Sequence, residues 1–151
     1  MIQDALLAYL YYTAIILMFS FLAVDAVLLR QAIDAATIRL LARIDMFYGL
    51  SAILVLATGL ARLFWGAKGA SFYSGNPVFH AKLGLFVLVG LLSIAPTIKF
   101  IRWSRTLKQQ PDFTVVDGER RNTRRLVMVE IHLAALLPLL AVFMARGFGI
   151  K

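Results

Sequence analysis

Ionisable side chains set in apolar sequence are the first candidates for chemistry in this chain. Asp25, Asp45 and Glu130 lie within or at the edge of apolar runs, and so do Arg62 and Lys82. A charged group is costly in hydrocarbon, so one retained there pairs, relays protons or meets a ligand. Asp25, Asp45 and Glu130, with His132, are the residue types of an ion or proton path, because buried acids and histidine titrate in the useful range. Arg62 and Lys82, with Tyr11 and Tyr12, are the types that hold a quinone carbonyl or a carboxylate through charge-assisted hydrogen bonds. His80 and His132 raise a third chemistry, since histidines on bundle helices ligate haem iron.

Other chemistries are excluded by composition. Cysteine is absent, which removes disulfides, thiolate metal sites, iron–sulfur clusters and covalent c-type haem. The glycines between Gly66 and Gly75 are spaced for turns and match no phosphate-binding loop. No serine, histidine and acid are spaced for nucleophilic attack, and no carboxylate–histidine motif of the di-iron kind occurs.

The elements that must position these residues are four apolar runs. They extend from Asp4 to Arg30, Asp45 to Arg62, Lys82 to Lys99 and Arg125 to Arg146. A hydrocarbon core of about 30 Å needs about 20 apolar residues per helix, and only helices or closed barrels satisfy their backbone there. Barrel strands are about 10 residues of alternating pattern, shorter than these runs. The sequence therefore predicts an all-α, integral membrane four-helix bundle. Helices are expected at about 4–30, 36–65, 77–103 and 120–146. They use up the 151 residues as a single transmembrane domain, 1–151. The start, Met1-Ile2-Gln3-Asp4, has neither a basic region nor a small-residue cleavage site, so the first span is expected to be retained.

The net charge of +8 is distributed as in a membrane protein rather than a nucleic-acid binder. The first connection holds Arg30, Arg39 and Arg43, and the third holds eight lysines and arginines between Lys99 and Arg125. The second connection and the C-terminus share Arg62, Lys68, Lys82, Arg146 and Lys151. That balance, eleven against five, puts connections one and three inside and both termini on the periplasmic side of a bacterial cytoplasmic membrane. The third connection's charges also suit anionic lipid headgroups.

Boundary residues fit these spans. Asp34 or Thr37 can cap the second helix, and Asn76-Pro77 reads as a cap followed by proline at the first helical position. The aromatic, glycine-rich stretch Phe64 to Gly75 is expected at headgroup level, folded back onto the outer mouth. Gln109 to Asp112 and the turn Asp117-Gly118 make the third connection a solvated loop. Pro96 and Pro138 free the carbonyls of Leu92 and Ala134.

Helical spacing sorts the faces. Asp4, Tyr11, Met18 and Asp25 share one stripe of the first helix. Asp45, Ala52 and Gly59 form a stripe on the second, with Tyr48 and Arg62 beside it. Lys82, Phe86, Val89, Ser93 and Pro96 share a face of the third. A polar stripe facing lipid is costly, so these faces point inward. Asp25, Asp45 and Glu130 then fall in the cytoplasmic half, and Arg62 and Lys82 in the periplasmic half near Tyr11 and Tyr12. Structural ion pairs are the alternative to a working site: Asp25 and Asp45 with Arg43, Arg124 or Arg125, and Asp4 with Arg62 or Lys68. His80 and His132 lie at opposite depths, separated by roughly 15 Å at 1.5 Å per residue, too far to share one iron. His80 is about 200° from Lys82 around its helix, and His132 about 200° from Glu130, so each pair straddles its helix.

The chain resembles a family of small bacterial four-helix proteins known as predicted membrane proteins of unknown function. Asp45-Met-Phe-Tyr-Gly-Leu, Phe64-Trp-Gly-Ala-Lys-Gly, Asn76-Pro-Val-Phe-His-Ala-Lys-Leu, Gly90-Leu-Leu-Ser-Ile-Ala-Pro-Thr and Met144-Ala-Arg-Gly carry that resemblance. More remotely, the layout is similar to the membrane-bound haem-containing protoporphyrinogen oxidase of bacteria and to copper-resistance D proteins, through His80-Ala-Lys82-Leu at the start of the third helix. The oxidase-like pattern has a histidine in the outer half of the first helix, where this chain has Tyr9-Leu-Tyr11-Tyr12. That resemblance implies haem b as cofactor, with Lys82 as the retained position and Tyr11 or Tyr12 in place of the missing ligand.

Three functions follow as expectations. The first is a small redox ligand, haem or quinone, bound in the periplasmic half by Tyr11, Tyr12, Arg62, Lys82 and His132. The second is an accessory or structural subunit of a larger membrane complex, suggested by the small-residue face of the second helix. The third is an ion- or proton-conducting homo-oligomer using Asp25, Asp45 and Glu130.

Overall fold

The computed structural model describes residues 2–65, 71 and 74–149. Its helices are α1 (Ile2–Leu28), α2 (Ala35–Trp65), α3 (Pro77–Gln109), α4 (Asp117–Ala134) and α5 (Leu136–Ala145). With α4 and α5 taken together, four spans are long and apolar enough to cross a membrane. They pack in a ring: α1 on α2, α2 on α3, α3 on α4 and α5, and α4 back on α1. The first and third connections mark one end, called here the basic end. The chain termini and the second connection mark the other, the terminal end.

The bundle is apolar outside as well as inside. Ile16, Leu50, Ile53, Leu91 and Ile98 all lie at least half exposed. In water such a surface would drive aggregation, whereas lipid tails are as apolar as the side chains themselves. The core is built by Met18, Leu22, Leu41, Val89, Phe100 and Val127 among others.

The helix starts follow local chemistry. The Asp34 carboxylate accepts a 2.8 Å bond from the Thr37 N–H, so Asp34 is the cap of α2 and Thr37 is capped by it. The Thr37 side chain first, and then its N–H, hold the exposed Asp34 carboxyl below the usual carboxylate range by hydrogen bonding. α1 ends at Leu28 rather than at the expected residue 30. Asn76 caps α3 through a 2.8 Å bond from the Val78 N–H, with Pro77 at the first helical position.

Three boundaries differ from the expectation. α3 continues beyond 103 to Gln109, because Trp103 and Leu107 bury against the bundle. α4 begins at Asp117, three residues before the expected start, and Asp117-Gly118 is its first turn rather than a loop turn. Acids at Asp117 and Glu119 suit the positive helix start. The last span is broken at Ala135 into α4 and α5, where Pro138 removes one donor and frees the carbonyl of Ala134. Pro96, by contrast, lies inside an uninterrupted α3.

Arg120 and Arg124 of α4 close the basic end of α1. Arg120 donates to the carbonyls of Leu29 and Arg30 at 2.9 and 2.8 Å, and Arg124 to that of Ala26 at 3.4 Å. Cations there satisfy the orphan carbonyls and complement the helix dipole. At the terminal end, α5 stops in a Schellman turn. Phe148 N–H donates to Phe143 O at 3.1 Å, Gly147 N–H to Met144 O at 3.2 Å, and Gly147 has φ +85°. The carbonyl of Phe148 then accepts from Asn76 Nδ2 at 3.2 Å. A Cβ on Gly149 would fall 2.5 Å from Asn76 Oδ1, so glycine is required at this closure.

Candidate functional site

Two polar clusters sit inside the bundle, one toward each end. At the terminal end, Tyr11 of α1 is 2% exposed and packs edge-on against Tyr12. Lys82 Nζ lies 4.4 Å from the centroid of the Tyr11 ring, and the guanidinium carbon of Arg62 lies 5.6 Å from it. Both are within cation–π range. Gly59 of α2 faces the ring, and a Cβ there would lie 3.6 Å from Tyr11 Cε2, an ordinary contact. Beside the ring is a cavity of about 70 Å³ bounded by Val55, Gly59, Arg62, Lys82, Leu137 and Met144. Leu60 and Leu83, both on its wall, are more than one-third exposed on the lipid face.

Among the described residues, no carboxylate forms an ion pair with either cation of this cluster. Among the described residues the ion pairs are Arg102–Glu119 and Arg120–Asp117, and Arg62 Nε is buried with no hydrogen-bond partner.

Toward the basic end, Asp25, Asp45 and Glu130 approach from α1, α2 and α4. Asp25 and Glu130 are 1% exposed and Asp45 is 9% exposed. Asp25 lies in the field of both Asp45 and Glu130. The Tyr48 hydroxyl donates to Glu130, and the Thr97 hydroxyl donates to Asp45 at 3.1 Å. Asp25 Oδ1 is buried without a partner.

Sequence reasoning is corrected at several of these positions. No ion pair joins Asp25 or Asp45 to Arg43, Arg124 or Arg125 among the described residues; Arg124 is spent on the backbone of α1. His132 does not join Tyr11, Arg62 and Lys82: it is exposed on the outer face of α4, and its Nδ1 lies 2.6 Å from the carbonyl of Met128. Glu130 faces in and His132 out, as two residues about 200° apart must. The same holds for Lys82 and His80; His80 is exposed, with Nε2 2.8 Å from the Ser74 carbonyl. Tyr12 lies outside the cavity and is 38% exposed. Lys68, Lys151 and most of the stretch from Gly66 to Tyr73 are outside the described residues.

Haem does not fit the terminal-end cavity. Neither histidine lines the interior, and about 70 Å³ is small beside the several hundred Å³ that enclose a drug-sized ligand. Tyr48 and Thr97 are polar partners that the spacing of acids did not reveal. Tyr48 stood on the stripe beside Asp45, and Thr97 is one helical turn beyond Ser93; those positions were the available signals.

A family model described as "Predicted membrane protein" matches residues 3–149. The chain belongs to that family, DUF2214. The match spans both polar clusters and every helix apart from one residue at the start of α1. As a member of this family the chain is a membrane protein with four candidate transmembrane helices, and a lipid bilayer is its environment. No curated protein matches it, and no solved structure does.

Proposed function

We propose that this family member binds the polar head of a lipid-soluble quinone at Tyr11, Arg62 and Lys82. The observation that carries the reading is the pair of cations, without an ion-paired carboxylate among the described residues, converging on one buried ring beside a small cavity. Arg and Lys are donors only. Quinone carbonyls are acceptors, and they gain negative charge on reduction, which two fixed cations favour. A cavity of about 70 Å³ holds part of a headgroup and leaves the tail to the bilayer, past Leu60 and Leu83. The charge distribution supports a site in the outer, periplasmic half of a bacterial cytoplasmic membrane.

Protein purified in mild detergent from its native membrane tests this. Solvent extraction followed by chromatography should recover quinone in near-equal amount with protein, and Lys82→Met should lose it. An absorption spectrum before and after dithionite should show no Soret band. A stoichiometric Soret band, or quinone retained unchanged by the variant, overturns the reading.

A further inference from the structure

One acid of the second polar cluster, Asp45, lies on a larger space, while Asp25 and Glu130 are buried behind it. Between α2 and α3 lies a cleft of about 560 Å³ whose wall includes Asp45, Tyr48, Phe86, Val89, Ser93 and Thr97. It meets the terminal-end cavity at Leu56 and Phe86, which line both. Gly49 and Gly90 stand on its wall, and a Cβ on either would meet nothing within 4 Å. Met46, Ile53 and Ile101 also line it, and each is 45% exposed or more on the lipid face. The cleft is thus reached from the bilayer. Its size falls within the range of small-molecule pockets, about 300–1,000 Å³.

Its chemistry is acidic and lacks a base. Asp45 of α2 stands on the cleft, backed by Asp25 of α1 and Glu130 of α4, and no lysine or arginine among the described residues lies within 4 Å of these carboxyls. From α3 only the hydroxyls of Ser93 and Thr97 face it. Asp25 Oδ1, in a side chain 1% exposed, has no partner. An uncompensated carboxylate in such a place costs several kcal/mol, so a proton or a cation must neutralise it. An inorganic ion is a poor match, because no group of three acids, histidines or cysteines among the described residues converges on one point. An organic cation is a good match: apolar walls take its body, and Tyr48 and Phe86 are aromatic members of the lining.

We propose that the α2–α3 cleft binds a lipid-soluble organic monocation against Asp45, in exchange for a proton. One carboxyl O–H bond breaks, the proton passes to the medium, and the carboxylate keeps the electron pair and faces the cation. Proton and cation compete for one group, so binding tightens as pH rises. The site is independent of the quinone reading, since Lys82 and Arg62 take no part in it.

The test is equilibrium binding of tetraphenylphosphonium to the detergent-purified full chain. Saturable binding is expected, weakening as pH falls, with Asp45→Asn at least tenfold weaker and Lys82→Met unchanged. Gly90→Leu, which fills the cleft without touching the acids, should weaken binding similarly. It also decides the matter should Asp45→Asn fail to fold. Absence of saturable binding to the unaltered protein, or binding unaffected by Asp45→Asn or by Gly90→Leu, overturns the proposal.

Discussion

The ammonium of Lys82 rests 4.4 Å from the centroid of the Tyr11 ring, which joins a base on the third helix to a buried aromatic on the first. The geometry fixes Lys82 pointing inward, although its neighbour His80 points out. It also gives the Lys82 charge a partial partner: a ring face offers about 0.5–2 kcal/mol, less than a carboxylate would. The remainder of the charge is available to a ligand. Arg62, on the second helix, reaches the same ring, so three helices meet at one polar point.

Gly59 faces this point. Its Cβ position is 3.6 Å from the Tyr11 ring, an ordinary contact, so Gly59→Ala is expected to fold and bind quinone as before. Gly59→Leu should fill the cavity, leave the helix content unchanged and abolish quinone binding. Circular dichroism with calorimetric titration separates the two effects.

Tyr48 satisfies Glu130 across the bundle. Tyr48→Phe removes the donor and leaves a buried acid without that bond, a loss of about 1–3 kcal/mol. Thermal unfolding in detergent should show the drop. Adding Glu130→Gln to Tyr48→Phe should not restore stability, whereas Glu130→Leu should recover part of it, because an apolar pair leaves nothing unsatisfied.

Arg120 is only 13% exposed along its side chain and bonds two carbonyls at the end of α1. Arg120→Ala should therefore cost about 1.5–3 kcal/mol, the range for hydrogen bonds to a charged group. Arg121→Ala, at an exposed neighbouring position, should stay within about 0.5 kcal/mol. Parallel unfolding curves for the two variants check the difference.

The cap of α2 has a predictable pH dependence. The Asp34 carboxyl is held below its ordinary value by hydrogen bonding from the Thr37 side chain and then its N–H. A depressed folded value means the cap's contribution is complete above the unfolded pKa, about 3.9, and is lost as pH falls through the lower folded one. Amide exchange at Thr37 should stay protected at mildly acidic pH and rise only below the carboxylate range. Asp34→Asn, which keeps the acceptor, should remove the pH dependence and keep the protection.

The spans were legible because length and apolarity are local properties. Two helix caps were legible for the same reason: Asn76-Pro77 announces itself, and Asp34 and Thr37 were the two candidates for α2. The inward faces of Tyr11, Asp25, Asp45 and Lys82 followed from helical spacing. What remained hidden depends on distant pairs or on a choice of rotation. Tyr48 and Glu130 are 82 residues apart, and Arg120 and Leu29 are 91 apart. Tyr11 and Tyr12 are about 100° apart on a helix, so one alone could face the cavity, and only packing chose Tyr11. His132 looked interior by depth, but its rotation relative to Glu130 put it on the lipid face. The break at Ala135 came from Pro138, while Pro96 left its helix whole; proline identity alone did not separate the two.

The central claim rests on Arg62 and Lys82, and calorimetric titration of detergent-purified protein with a short-tailed quinone tests it most directly. The account predicts saturable binding of one quinone per chain, weakened at least about a hundredfold in the Arg62→Gln, Lys82→Met double variant, as two charge-assisted bonds of about 1.5–3 kcal/mol each require. Titration without saturation, or equal affinity in the double variant, would contradict it.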